Sequence, residues 1–268
     1  MTAQTRSEIA ELLERHGLAP IHRLGQHFLA DANITRKIVS LAGVGSGAKV
    51  VEVGAGTGTL TRALAASGAH VVAYEVDHGL RPVLAEVTAG LDVELRFADV
   101  TKVDFSSALD GEGWAMVANL PYNVGTPVVM DALRHALVIE RFIVMVQREV
   151  AERFVAQPGE DEYGLPSVVA GIHADVSLAF TVPPQVFYPP PRVESAVVDM
   201  RRAQAPDNAD WAIELARAAF GQRRKMLRRS LATVLDDPIG PLEAAGIPPT
   251  SRADELSPAD YLRLADLS

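Results

Sequence analysis

The chain contains no cysteine among its 268 residues, which excludes disulfides, thiolate metal sites and a cysteine nucleophile. It has no run of about 20 apolar residues of the kind that spans a bilayer. Its polar opening, MTAQTRSEIAELLERHG, lacks the apolar core of a signal peptide. These absences predict a cytoplasmic protein with no membrane partner. A basic surplus is missing too, because the formal net charge is −9. Taken alone, that argues against nucleic acid, but the distribution of charge outweighs its sum. Between positions 217 and 229 stand Arg217, Arg223, Arg224, Lys225, Arg228 and Arg229 with no acid among them. Such a cluster is either a phosphate-binding patch or a solvated helix face.

What is present is an ordinary globular composition, 48% hydrophobic and 22% charged. A chain of this length buries roughly three quarters of the surface its unfolded form exposes. It suits one main domain with a small appendage. Apolar spacing predicts helices over 5–16 and from Asp31 or Asn33, as N-caps, towards Leu41. Buried strands are expected at 49–53, 70–74, 93–98, 114–118 and 142–146, with helices at 59–66, 80–88, 128–137 and 148–156 between or after them. Strands alternating with helices predict an α/β fold, a parallel sheet covered on both faces. Two further strands, 174–182 and 195–200, have no helix between them and read as a hairpin at the sheet edge. A polar linker at 204–210 and a helical remainder place a main domain at 1–203 and a helical RNA-binding domain at 204–268.

Polar residues at successive strand ends carry the functional signal. Gly54, Glu75, Asp99 and Asn119 each follow a strand, and open α/β sheets bind ligands beyond the carboxyl ends of their strands. Gly54, Gly56 and Gly58 stand at every second position between a strand and a helix. There they allow close backbone approach and present helix N-terminal amides to a ligand. Glu75, about 20 residues on, can take the hydroxyls of a ribose, and Asp99 can accept from an adenine amine. This set describes a nucleoside-bearing cofactor without choosing between NAD and S-adenosylmethionine.

The sequence Asn119-Leu120-Pro121-Tyr122 makes that choice. An adenine amine is a poor nucleophile because its lone pair is delocalised into the ring. Acceptance of its two hydrogens by the Asn119 side-chain oxygen and a nearby backbone carbonyl favours the pyramidal nitrogen that attacks a sulfonium methyl. This is preorganisation and in-line positioning, and it requires no metal. Tyr122 can stack on the base. Phe187, in a proline-stiffened loop, is expected as the second stacking wall for a base extruded from its stack. Arg223, Arg224, Lys225 and Arg228 are the expected phosphate contacts.

The chain resembles the small-subunit ribosomal RNA adenine dimethyltransferases, the KsgA family, over nearly all its length. The motifs are GQHFL at 25–29, EVGAGTGTLT at 52–61, NLPYNVGTP at 119–127, QREVAERF at 147–154, YGLPS at 163–167, VFYPPPRVESAVV at 186–198 and FGQRRKMLRRSL at 220–231. The resemblance implies a Rossmann-like class I methyltransferase sheet with a small helical C-terminal domain. It implies two N6-methylations on each of two adjacent adenosines near the 3′ end of small-subunit RNA, late in assembly of that subunit; a monomer is expected. Its donor contacts fall on His27, Leu29, Gly54, Gly56, Glu75, Asp99 and Asn119, and catalysis on Asn119 and Tyr122 with Phe187. His27 stands where that family usually has asparagine. Three alternatives share parts of these features. They are a large-subunit adenine methyltransferase of the macrolide-resistance type, an assembly or transcription factor on the same fold, and a nicotinamide dehydrogenase.

Overall fold

Strands covered on both faces carry near-continuous apolar runs, and the computed structural model sets four such runs side by side, with the alternating strand at 93–97 on their edge. It describes residues 4–268; the first three residues of the polar N-terminal stretch lie outside it. In chain order the first elements are α1 (Arg6–Arg15), β1 (Phe28–Leu29), α2 (Ala32–Ala42), β2 (Lys49–Val53), α3 (Thr59–Ala66) and β3 (His70–Glu75). Then come α4 (Arg81–Val87), β4 (Val93–Phe97), α5 (Phe105–Ala108), β5 (Trp114–Asn119), α6 (Gly125–His135) and β6 (Ile139–Gln147). The remainder is α7 (Arg148–Val155), α8 (Leu165–His173), β7 (Ala174–Val182), β8 (Phe187–Tyr188), β9 (Ser195–Arg202), α9 (Ala209–Gly221), α10 (Leu227–Ser230), α11 (Ile239–Ala244) and α12 (Pro258–Ala265).

The main sheet runs β4-β3-β2-β5-β6-β9-β7. Neighbours from β4 to β6 are parallel, while β9 runs antiparallel to β6. Strand alternation divides the core. Val50, Val71 and Val117 pack with Ile9, Leu12, Ile38 and Leu64 of α1, α2 and α3. On the other face Tyr74 meets Phe105 of α5 edge-on at 5.7 Å. The expected doubly covered sheet is therefore present, with β9 antiparallel to β6 and β7 beyond it at the edge. A second, unexpected element is the ribbon of β1 and β8, in which Phe28 lies opposite Tyr188 and Leu29 opposite Phe187. No helix among the described residues is long and apolar enough to cross a membrane.

The chain divides into two compact units. One runs to Ala151 and resumes over Ser177–Arg201; the other comprises Glu152–Val176 and Arg202–Ser268. This differs from the expected division at 203/204 in one segment, because 152–176 groups with the C-terminal helices. The reason is a buried aromatic cluster within that second unit. Tyr163 donates to the Leu256 carbonyl at 2.7 Å, and Tyr261 donates to that of Ala253 at 2.9 Å. The Phe220 ring lies 5.9 Å from Tyr163 and 6.4 Å from Tyr261. Gly171 of α8 lies so near α12 that a Cβ on it would sit 2.8 Å from Pro258.

One residue breaks the apolar rule on β2. Glu52 is 1% exposed, and burial pushes its carboxyl up to about 8, with the nearby Glu75 adding to the rise and Thr61 opposing it. The folded chain therefore keeps a proton on Glu52 through the range where the unfolded chain, at an ordinary 4.5, has lost it. Where the folded state binds more protons, stability falls as pH rises. We predict that urea-unfolding free energy declines between pH 5 and pH 8 in the wild type. Glu52→Gln should flatten that decline and be the more stable protein at pH 8; parallel pH profiles would exclude Glu52 as the source.

Candidate active site

Beyond β2 the chain turns through Gly54, Gly56 and Gly58, all left-handed at φ 79°, 57° and 80°. Gly56 is required twice, by its φ and by space. A Cβ there would sit 2.9 Å from the Phe28 ring. At Gly58 the same addition would come within 2.6 Å of Val87. The turn is fastened to the next strand by Glu75, whose Oε2 accepts from the Gly56 amide at 2.8 Å. Oε1 accepts from the amides of Val76 and Asp77, each at 2.9 Å. Burial raises the Glu75 pKa, and these three bonds pull the other way. A carboxylate accepts about four hydrogens, so Oε2 alone retains capacity for a ribose hydroxyl.

Asp99 caps the turn after β4. Its Oδ1 accepts from the Thr101 hydroxyl at 2.7 Å and the Thr101 amide at 3.1 Å. Thr101, with Lys102 at 3.6 Å, holds its carboxyl below the usual range. The loop before β1 is tied to β3 through Gln26, which accepts from the Ile21 amide and donates to Asp77, both at 2.8 Å.

The end of β5 is oriented by main chain. The Asn119 side-chain amide donates to the His27 carbonyl at 3.1 Å. A carbonyl only accepts, so the nitrogen is the atom turned towards it, and the side-chain oxygen remains as a free acceptor. His27 Nδ1 lies 2.8 Å from the Pro189 carbonyl. That partner only accepts, so it places a hydrogen on Nδ1. The Tyr122 ring stands 5.5 Å from the His27 ring at 30°. Its hydroxyl shares a 2.7 Å hydrogen bond with Ser195, a fully buried residue of β9. Burial raises the Tyr122 pKa, opposed by the bond to Ser195.

A cleft of about 300 Å³ gathers His27, Leu29, Gly54, Gly56, Glu75, Asp99, Asn119 and Tyr122 along its walls. This is the lower end of the small-ligand range. Phe187 is not brought there. It is 0% exposed and packs in the hydrophobic core, because the β1–β8 register turns its side chain inwards opposite Leu29. The residue expected as the second stacking wall thus lies outside the cleft lining in this structure. Arg223, Arg224, Lys225 and Arg228 belong to the second compact unit. Ser195 and Gln26 had no signal as site residues beyond a polar side chain, and Pro189, which contributes a backbone carbonyl, had none.

Comparison with known proteins agrees on one family. A family model described as ribosomal RNA adenine dimethylase matches residues 21–268. The ribosomal RNA small subunit methyltransferase A of Phenylobacterium zucineum is 45% identical over 99% of this chain and 94% of its own length. That of Sinorhizobium medicae is 44% identical over 96% of each. Among solved structures, a dimethyladenosine transferase from Plasmodium falciparum superposes with a TM-score of 0.75 at 23% identity, covering 89% of this chain and 96% of the other. The 23S rRNA methyltransferase ErmE superposes at 0.67 with 26% identity, covering 89% and 98%.

The buried position of Phe187 separates a packing role from a stacking role. Phe187→Ala should cost about 3–5 kcal/mol of stability by leaving a cavity. Phe187→Leu, closer in volume, should cost less than about 1.5 kcal/mol and keep near-wild-type turnover. A stable Phe187→Leu protein with a large loss of turnover would return Phe187 to the site.

Proposed function

This chain belongs to the ribosomal RNA adenine dimethylase family, and from that premise we propose that it methylates N6 of two adjacent adenosines near the 3′ end of small-subunit ribosomal RNA, with S-adenosylmethionine as donor. The observation that carries the reading is the Asn119 side chain, whose nitrogen is engaged by the His27 carbonyl and whose oxygen is left to accept. The same reading has the chain acting as a monomer in the cytoplasm, on small subunits under assembly. The names of its relatives support the small subunit over the large.

The cleft suits the donor. The left-handed glycine turn leaves no room for side chains at the positions where backbone must approach a ligand. Glu75 keeps one acceptor position on Oε2 for a ribose hydroxyl, and Asp99 is held charged for an adenine amine. His27, Leu29, Gly54 and Gly56 complete the donor wall. When bound, the donor supplies an electrophilic methyl on a sulfonium.

The residues of the chain prepare the nucleophile. Asn119 Oδ1 accepts one hydrogen of the target amine and a main-chain carbonyl of the same loop accepts the other, which directs the nitrogen lone pair out of the base plane. Tyr122, pinned at its hydroxyl by Ser195, offers its ring as a stacking face worth about 1–3 kcal/mol. Because the acceptors are fixed before the base arrives, little reorganisation accompanies the transfer.

Grip on RNA is assigned to the second unit. Of the six cations from 217 to 229, Arg217 pairs with Glu214 at 3.4 Å. Arg223 donates to the Asp161 carbonyl at 3.0 Å and lies 3.7 Å from Asp254. Arg224, Lys225, Arg228 and Arg229 are exposed and have no ion pair among the described residues. These four are the free phosphate contacts, so the patch is narrower than its sequence count.

Three outcomes test this. Small and large subunits lacking the modification, incubated with labelled donor, should acquire label on adjacent small-subunit adenosines; label confined to the large subunit would overturn the assignment. Asn119→Ala should lose at least about 100-fold in turnover, the scale of one preorganised group, with donor affinity largely kept; unchanged turnover would remove Asn119 from catalysis. Four phosphate contacts predict a log–log salt slope of about −3 to −4 for RNA binding. Reversing Arg224 and Arg228 together should flatten it by about 1.5 to 2, and an unaltered slope would make the patch a solvated surface.

A further inference from the structure

The glycine turn is held from a part of the chain that lies upstream of the family match, which begins at residue 21. Gln4 is only 6% exposed, and each polar atom of its side chain is engaged by the turn. Its Nε2 donates to the Thr57 carbonyl at 3.1 Å. Its Oε1 accepts from the Thr57 hydroxyl at 2.9 Å and from the Thr59 hydroxyl at 2.6 Å. Both threonines are themselves buried. We propose that Gln4 is a positioning residue for the methyl donor, holding the turn that carries Gly56 in the shape that receives it.

The clamp is rigid because α1 is anchored along its length. Thr5 and Glu8 close a capping box at its start, and Arg6 donates to the Phe187 carbonyl of β8 at 3.0 Å. Ile9, Leu12 and Leu13 are buried beneath it. At its far end Arg15 and His16 both contact Glu86 of α4 at 2.8 Å. The next residue, Val87, is the side chain that leaves Gly58 no room for a Cβ. Helix α1 thus reaches the turn directly through Gln4 and, through α4, from the opposite side. Removing the Gln4 amide leaves one carbonyl and two hydroxyls without partners in a buried place, and hydrating them means loosening the turn. The side chain of Gln4 bonds to Thr57 and Thr59 and not to the Asn119 loop, so the loss falls on the donor and not on the transfer step.

The inference rests on the donor reading given above, and the experiment separates the two. Titration calorimetry of the full chain with S-adenosylhomocysteine compares wild type, Gln4→Ala, Thr57→Val and Ile9→Val. Gln4→Ala should raise Kd about tenfold, the scale of one or two buried hydrogen bonds. The donor KM should rise in parallel, with kcat on small subunits within about twofold of wild type. Thr57→Val keeps the side-chain shape and deletes one bond, so it should raise Kd by a smaller factor, about threefold; it also tests the clamp if Gln4→Ala does not fold. Ile9→Val should lower Tm and leave Kd alone. Wild-type Kd in both clamp variants would overturn the inference while leaving the donor reading intact, and so would a rise in Kd that merely tracks Tm across all three. Failure of the wild type to bind would overturn the donor reading and this inference with it.

Discussion

A buried carboxylate is costly unless hydrogens are brought to it, and Glu75 is brought three by main chain alone. Two come from the residues that follow it and one from Gly56, across the gap between adjacent strands. The bond from Gly56 is the one that organises the cleft. It requires the turn after β2 to lean towards β3, which the left-handed glycines permit and the Phe28 ring then fills against. Phe28 in turn belongs to the β1–β8 ribbon, which carries the His27 loop beside it. The carboxylate that lines the cleft is thus also the fastening that brings the loop, the turn and the strand ends together.

Much of this was legible in the sequence, for a reason that lies in the sheet. Parallel strands buried on both faces are near-continuously apolar and stop where polar residues cluster, so β2, β3 and β5 and the residues at their ends, Gly54, Glu75 and Asn119, could be read directly. The ribbon could not be read in this way. Two-residue strands have no periodicity, and a shift of one position exchanges the buried and exposed faces. That shift decides whether Phe187 or Tyr188 points inwards, and the partner that fixes it, Leu29, stands far away along the chain. Gln4 was silent for the same reason, since its three bonds reach more than fifty residues ahead. The second unit was read as helical, but the assignment of 152–176 to it depends on Tyr163 meeting Leu256, a pairing no local pattern announces.

Charge was legible only as a count. Six cations in thirteen positions suggest a broad patch, yet Arg217 and Arg223 are engaged with acidic or carbonyl oxygens of their own unit. An acidic protein that binds RNA through few free cations has a shallow salt dependence and a small non-specific affinity. Under the function proposed above, discrimination among RNAs depends more on the base than on the grip at the phosphates.

The bond from Asn119 to position 27 engages the backbone of that residue and not its side chain. Main-chain carbonyls survive substitution. The orientation of the amide is therefore insulated from substitution at position 27, and the histidine there does not turn the acceptor away. The same insulation leaves the His27 ring free to be tuned, by a later exchange of one side chain, without putting the geometry at Asn119 at risk.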